Sequence, residues 1–352
     1  MTRNPPERFV LVLAGGRGER FWPWSTRERP KQLLPLAGGG RTLLAATLER
    51  ARALVPASHV LVLTARDLVA AVRRECPPGV EVVGEPVARN TAAAIAAAAH
   101  RFGPAHAFAV MPADHLVEDT GAFRADLERA FAVAERDDVL VTFGIRPAGP
   151  DTNFGYVHAG ERLADRLHRV DRFAEKPTPE RAREYLAAGG WAWNSGIFVW
   201  RAGVFLAALE AARPALAGAL APLAGVAPAA FEAALAPAFA EAESISVDYA
   251  VLEHAPNAIV LEASFDWDDV GSWGAWARRQ PHDAQGNVVV GNVVPIGCEE
   301  CVLVGDGVTT TAALGLKRMI VVHADGETLV CPLEESDRVR QVSEAVRARR
   351  RS

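Results

Sequence analysis

Directly after the apolar run Phe9 to Leu13 the chain reads Ala14, Gly15, Gly16, Arg17, Gly18, Glu19, Arg20, and Pro30 and Lys31 follow a short way on. Glycines at the end of a buried strand let the backbone pass close to a ligand. Without Cβ they take positive φ and leave their N–H groups pointing outward. Gly15, Gly16 and Gly18, with the cations Arg20 and Lys31, therefore read as a phosphate grip, although three glycines after a strand also make a plain tight turn. Gly16, Arg17, Gly18 begins a dinucleotide pattern, but Phe21 holds the third glycine position and Trp22, Pro23 and Trp24 follow. A helix that starts on a pyrophosphate and packs tightly on its strand does not carry Pro and two Trp in its first turns. No Gly-Lys-Ser/Thr run closes a P-loop either. Residues 14 to 31 are expected to fold as a long loop over a triphosphate.

Two carboxylates accompany this loop. Asp114 stands in Met111, Pro112, Ala113, Asp114, His115, and Asp269 in Trp267, Asp268, Asp269, Val270, Gly271, Ser272, Trp273. Mg²⁺ takes one or two protein carboxylates and completes its octahedron with phosphate oxygens and water, so a pair far apart in sequence is adequate. The structural alternative is that Asp268 or Asp269 caps a helix over residues 271 to 278. A second group comprises Glu175, Lys176, Pro177 and Trp193, Asn194, Ser195, Gly196. Lys176 offers a point cation for a small phosphate, and Glu175 and Asn194 suit sugar hydroxyls. Asn90, in Glu85, Pro86, Val87, Ala88, Arg89, Asn90, Thr91, is equally a helix N-cap.

These residues must be positioned by alternating elements. Phe9 to Leu13, Val60 to Thr64, Val80 to Val83, Ala107 to Met111 and Val139 to Phe143 read as buried strands, with helical stretches near 42 to 54, 67 to 75, 91 to 102 and 121 to 136. Such alternation predicts an α/β fold with a mostly parallel sheet covered by helices, which binds ligands beyond the carboxyl ends of its strands. The glycine loop and Asp114 fall at such ends. From residue 145 hairpin-like pieces follow (Gly155 to His158, Arg169 to Ala174, Gly196 to Trp200). Residues 202 to 243 then form alanine-rich helices broken by Pro214, Pro222, Pro228 and Pro237. After Gly286 short strands recur at Val288 to Val290, Val293 to Pro295, Val302 to Val304, Met319 to Val322 and Thr328 to Cys331, fitting a small β-solenoid or sandwich-like tail. Packing and self-association are its default roles, a homodimer through this C-terminal part among them.

With 352 residues, 50% hydrophobic and 23% charged, the chain is long enough for one large core and a smaller accessory domain. A formal charge of −5 argues against a nucleic-acid partner, so anionic ligands must be met by local cations. No leader-like segment or apolar stretch of spanning length is found, which points to the cytoplasm and away from a membrane. Four cysteines are too sparse for a disulfide framework, and the lone Cys298-x-x-Cys301 is a weak metal or redox signal. The basic end, Arg347 and Arg349 to Arg351, reads as a solvated helix terminus.

The glycine loop with Arg20, Pro30 and Lys31 is followed in order by Arg89-Asn90-Thr91-Ala92, Pro112-Ala113-Asp114-His115, Phe154-Gly155-Tyr156, Glu175-Lys176-Pro177 and Trp193-Asn194-Ser195-Gly196. Ser246-Val247-Asp248-Tyr249 and Asp269-Val270-Gly271-Ser272-Trp273 complete the series. From about Phe9 to about Arg279 the chain resembles the mannose-1-phosphate guanylyltransferases; many of the motifs are common to sugar nucleotidyltransferases. The resemblance implies a Rossmann-like nucleotidyltransferase domain over 1–284 and a small β-helix-like domain over 285–352 ending in a helix. It implies transfer of GMP from GTP to mannose 1-phosphate with Mg²⁺, with Arg20 and Lys31 catalytic and Gly15, Gly16, Gly18 and Asn90 on the nucleotide. Gly155, Glu175, Lys176 and Asn194 would hold the sugar phosphate, and Asp114 and Asp269 the metal. Arg17 stands where the family often has Ser, and Asn153 where a Gly commonly precedes the aromatic residue and Gly155. The chain stops soon after the strand-rich tail, so the appended isomerase domain of longer relatives is not expected. A guanylyltransferase for another sugar 1-phosphate such as a manno-heptose, an enzyme using another base, and a silent nucleotide-sugar sensor are the competing readings.

Overall fold

The computed structural model describes residues 6–16 and 18–351, so Arg17 lies outside the described residues. The chain forms two compact units. One comprises the residues up to Gly15, Thr47–Ala113 and Val117–Trp267; the other comprises Gly16–Ala46, Asp114–Leu116 and the chain from Asp268 onward.

The first unit is built on a nine-stranded sheet of β1 (Arg8–Leu13), β2 (Val60–Ala65), β3 (Glu81–Glu85), β4 (Ala107–Pro112), β5 (Leu140–Ile145), β6 (Gly155–Ala164), β7 (Leu167–Glu175), β8 (Trp191–Arg201) and β9 (Ala258–Glu262). Its order is β3-β2-β1-β4-β8-β5-β9-β7-β6. β1 pairs in parallel with β2 and β4, and β2 with β3, so their carboxyl ends lie on one edge. β7 and β8 run against their neighbours, giving the mixed, mainly parallel sheet expected from the alternation. β9, Ala-Ile-Val-Leu-Glu, is a further strand; although Pro256 and Asn257 make a turn before it, five residues were too short a signal to stand out.

The helix Asn90–Phe102 is buried from Ala92 to Ala99 on every side. Alanine makes this possible: its small side chain lets the sheet and the following helices approach from opposite sides. Those helices, Ala202–Ala212, Pro214–Leu220 and Pro228–Glu241, share its apolar cluster through Phe205, Leu216, Phe231 and Phe239. Pro214 and Pro228 start their helices, where a missing N–H costs nothing, whereas Pro237 sits inside one.

In the second unit β10 (Val288–Val290), β12 (Val302–Val304) and β14 (Met319–Ala324) pair in parallel, β15 (Glu327–Pro332) closes antiparallel on β14, and β11 (Val293–Ile296) pairs in parallel with β13 (Thr311–Leu314). Parallel strands from successive turns of chain form the solenoid expected of the tail. One face, Val288, Val302, Val304, Ile320 and Val322, packs with Phe21, Trp22, Trp273 and Trp276, so the glycine-loop segment and the tail share a core. The other face buries Cys298 and Cys301 with Leu303 and Val321. Their thiols donate to the carbonyls of Ala313 and Glu299, 3.4 and 3.3 Å away, and take part in core packing.

Candidate active site

In the second unit the loop is shaped by close approach. Gly18 has φ +56°, and a Cβ there would lie 2.1 Å from Lys31 Cβ, so only glycine lets the two segments meet. Gln32 Nε2 donates to Gly16 O at 2.9 Å. Glu19–Phe21 forms one 3₁₀ turn whose Phe21 is buried against Trp273. The two Trp that argued against a helix here instead anchor the loop: Trp22 O accepts from Trp273 Nε1 at 3.3 Å, and Trp24 packs on Trp273 and Trp276.

Lys31 is 5% exposed. Its Nζ donates to Asp114 Oδ2 at 2.9 Å and to the Asp269 carbonyl. Burial works to raise the Asp114 carboxyl, but the Lys31 ammonium, with His115, outweighs it and holds the group below its ordinary value. Asp269 Oδ1 accepts from Gly271 N at 3.1 Å, and a Cβ on Gly271 would lie 2.8 Å from Asp269 Oδ2. Val270 between them is held at φ +47°, an uncommon and strained state for a β-branched residue. The helix Trp273–Ala277 is capped by Ser272, whose hydroxyl accepts from Ala275 N, so neither Asp268 nor Asp269 serves as its cap. Arg20 Nη1 donates to Gly271 O at 3.4 Å. Arg20, Lys31, Asp114, Asp269 and Gly18 thus line one cavity of about 460 Å³, joined by Glu19, Phe21, Gly271 and Arg340.

In the first unit, Gly15 follows β1, and the Glu85 carboxylate at the end of β3 would lie 3.2 Å from a Cβ at Gly15. Burial pushes the Glu85 carboxyl up to about 7. Asn90 opens its helix at φ +62° and its side-chain oxygen accepts from Thr91 N at 2.8 Å. Arg89 closes the end of the Pro228–Glu241 helix, donating to the carbonyls of Phe239 and Ala240 at 2.7 and 2.8 Å. That part of the Arg-Asn-Thr motif therefore holds the fold together.

The sugar-side candidates gather where β6, β7 and β8 meet. Gly155 pairs with Glu175, and a Cβ on it would come 2.4 Å from Glu175 Oε2 and 3.5 Å from Asn194 Cβ. Asn194 is oriented from both ends: Thr142 Oγ1 donates to its Oδ1 at 2.8 Å and its Nδ2 donates to Asp248 Oδ1 at 2.9 Å. Lys176, at φ +46°, stands exposed with Nζ 3.5 Å from Glu175 Oε1. Burial raises the Glu175 carboxyl against the pull of Lys176. Burial, with the Glu175 charge nearby, pushes Asp248 up to about 7. Asp248 begins a π-helical turn, Asp248–Leu252, an irregularity frequent at functional sites. Asn153 donates from its backbone and side chain to Asp151 Oδ1 at 2.8 and 3.0 Å, and so helps to make the turn ahead of Gly155.

Glu85 and Asp248 had no role assigned from sequence. For Glu85 the available signal was an acid closing a short apolar strand, which is common, and Asp248 stood only as a member of the Ser246-Val247-Asp248-Tyr249 series; what marks both is burial, and that is a tertiary property.

Residues 9–286 match the family model described as nucleotidyl transferase, and residues 291–346 match one described as mannoseP isomerase/GMP-like beta-helix domain. The chain belongs to the nucleotidyl transferase family. Among its relatives is the xanthan biosynthesis protein XanB of Xanthomonas campestris, 36% identical over 344 residues that cover 96% of this chain and 72% of the relative. Another is a mannose-1-phosphate guanylyltransferase of Klebsiella pneumoniae, 36% identical over 353 residues, covering 97% and 74%. A crystal structure described as mannose-1-phosphate geranyltransferase from Thermus thermophilus superposes with TM-score 0.85 at 35% identity, covering 97% of this chain and 99% of that one. Among the described residues no helix is long and apolar enough to cross a membrane.

Proposed function

We propose that this chain transfers GMP from GTP to α-D-mannose 1-phosphate, giving GDP-mannose and pyrophosphate. The single observation that carries the chemistry is the cavity in which Arg20 and the buried Lys31 face the same space as Asp114 and Asp269. The names of the relatives support the substrate pair.

A sugar phosphate has a second pKa of about 6, so its attacking oxygen is already ionised at neutral pH and needs no protein base. Catalysis then reduces to alignment and charge neutralisation. Gly15, Gly16 and Gly18 lend backbone N–H groups to the triphosphate, and Arg20 and Lys31 offset the charge that gathers on the α-phosphate and the departing pyrophosphate. Lys31 suits this because it is held rigid by two partners before any ligand arrives. Asn90 is assigned to the nucleoside. Lys176 takes the phosphate of the sugar, and Gly155, Glu175 and Asn194 read its hydroxyls.

Among the described residues no three metal-ligating side chains gather. A metal here would rest on Asp114 and Asp269, two hard oxygen donors on one cavity, which is the set that Mg²⁺ accepts when phosphates and water supply the rest. When bound, Mg²⁺ neutralises and orients phosphate oxygens. We assign residues 1–284 to the catalytic domain and 285–352 to the C-terminal domain. A homodimer through the latter is part of the same proposal: Val294, Ile296 and Leu314 are exposed on β11 and β13, Leu314 at 75%. A Leu314→Asp chain that sediments with the mass of the wild type removes that dimer.

The test is pyrophosphate release measured with Mg²⁺ across a matrix of nucleoside triphosphates and sugar 1-phosphates. Fastest turnover with GTP and mannose 1-phosphate is expected. Preference for another pair, or none with any, overturns the assignment.

A further inference from the structure

The helix that closes the described chain, Val339–Arg351, carries a cation where its dipole does not favour one. Arg340 stands in the first turn, at the positive end of the helix dipole, which favours carboxylates over guanidinium groups. Its surroundings supply a different reason. Arg340 lines the same cavity as Gly18, Arg20, Lys31, Asp114 and Asp269, its Nε lies 3.3 Å from Glu19 Oε2, and it also donates to Glu344 Oε1 at 2.8 Å.

The helix does not depend on Arg340 for its position. Val339 is buried, and Val346 packs on the cluster that holds Phe21 and Trp273. Arg347, about two turns further on, pairs with the other oxygen of Glu19. Glu19 thus has two arginines, and one can leave without orphaning the carboxylate. Arg340 is the one disposed to leave: its side chain is 64% exposed, and an ion pair so open to water is weak. A polyphosphate offers a guanidinium more, since the planar fork matches phosphate oxygens two at a time.

We infer that Arg340 is a polyphosphate-binding residue supplied by the C-terminal helix. When nucleotide enters, its guanidinium exchanges Glu19 for the β- and γ-phosphoryl oxygens, which leave together as pyrophosphate, while Arg347 keeps Glu19 neutralised. No covalent bond changes at Arg340. This rests on the phosphoryl-transfer reading above and adds to it a third cation, drawn from the part of the chain whose default role was packing.

The experiment is calorimetric titration of the full chain with inorganic pyrophosphate and Mg²⁺, for wild type, R340Q, R340K and the exposed control R338Q, alongside steady-state kinetics and melting temperature. R340Q is expected to loosen pyrophosphate by roughly tenfold or more, as loss of a charge-assisted contact does. KM for GTP should rise with it, and KM for mannose 1-phosphate should hold. R340K keeps the charge without the fork and is expected between R340Q and wild type at an unchanged melting temperature. R338Q should match wild type. Wild-type pyrophosphate affinity in R340Q overturns the inference, as does a wild-type chain that binds no pyrophosphate. If R340Q melts early, R340K decides: affinity equal to wild type overturns it. Absence of turnover with every substrate pair instead removes the reaction assigned above, so the two failures are told apart.

Discussion

The two groups of candidate residues treat their carboxylates in opposite ways. Around the glycine loop, Asp114 is held ionised by a buried ammonium 2.9 Å away. Where β6, β7 and β8 meet, Asp248 and Glu175 are raised by burial, and the nearby cation, Lys176, is exposed. The first arrangement suits anionic ligands, because its charges are fixed in advance and cost no reorganisation during reaction. The second suits neutral hydroxyls, which a carboxyl or carboxylate and an oriented amide recognise without needing a counter-ion. The difference teaches that one protein can use the same residue types for charge handling and for shape reading by changing what lies beside them.

Lys31→Ala is expected to break this contrast most severely. It removes the fixed cation and leaves Asp114 without its partner, so kcat should fall by roughly a thousandfold while the affinity for GTP changes much less. Equal turnover would remove Lys31 from the mechanism, and Asp269→Ala should show the same split. Lys176→Gln should act on the other side. KM for the sugar phosphate should rise by roughly tenfold, the size of one charge-assisted hydrogen bond, with KM for GTP unchanged. A matching rise in both constants would show that the groups do not divide the substrates.

Stability against pH sharpens the comparison at smaller amplitude. Asp248 is pushed from 3.8 to about 7 and Glu85 from 4.5 to about 7. The folded chain therefore holds these protons after the unfolded chain has released them. Their contribution is fully present below about pH 4 and is lost as pH rises through about 7. Asp248→Asn should flatten the fall in the unfolding free energy measured by urea titration between pH 5 and pH 7.5, by about 2 kcal/mol in order of magnitude. A slope identical to wild type would mean that Asp248 is solvated. Asp114, with its lowered value, works in the other direction, its contribution being lost on acidification.

Much of the frame was legible in the residues. Apolar runs with glycine or polar ends placed β1, β2, β3 and β4, and the alanine-rich segments placed the helices, because burial and helix propensity act over a few neighbouring residues. The cap of the short helix after Asp269 was not legible: Asp268 or Asp269 fitted the local pattern, and only the helix start at Trp273 gives that role to Ser272. The Arg347 end was read as solvated. Its pairing with Glu19, 328 positions earlier, has no local trace.

The sequence by itself determined which chemistry was available: glycines that admit a backbone approach, two cations after them, carboxylates following apolar runs, and a strand-rich tail. Only the tertiary structure decided how those groups are used. It buried Lys31 beneath Asp114, set Asn194 between Thr142 and Asp248, and brought Arg340 to the glycine loop. The physical reason is range. Periodicity and propensity report contacts within a turn or a strand, whereas charge state and hydrogen-bond partner depend on burial and register between segments that lie far apart in the chain.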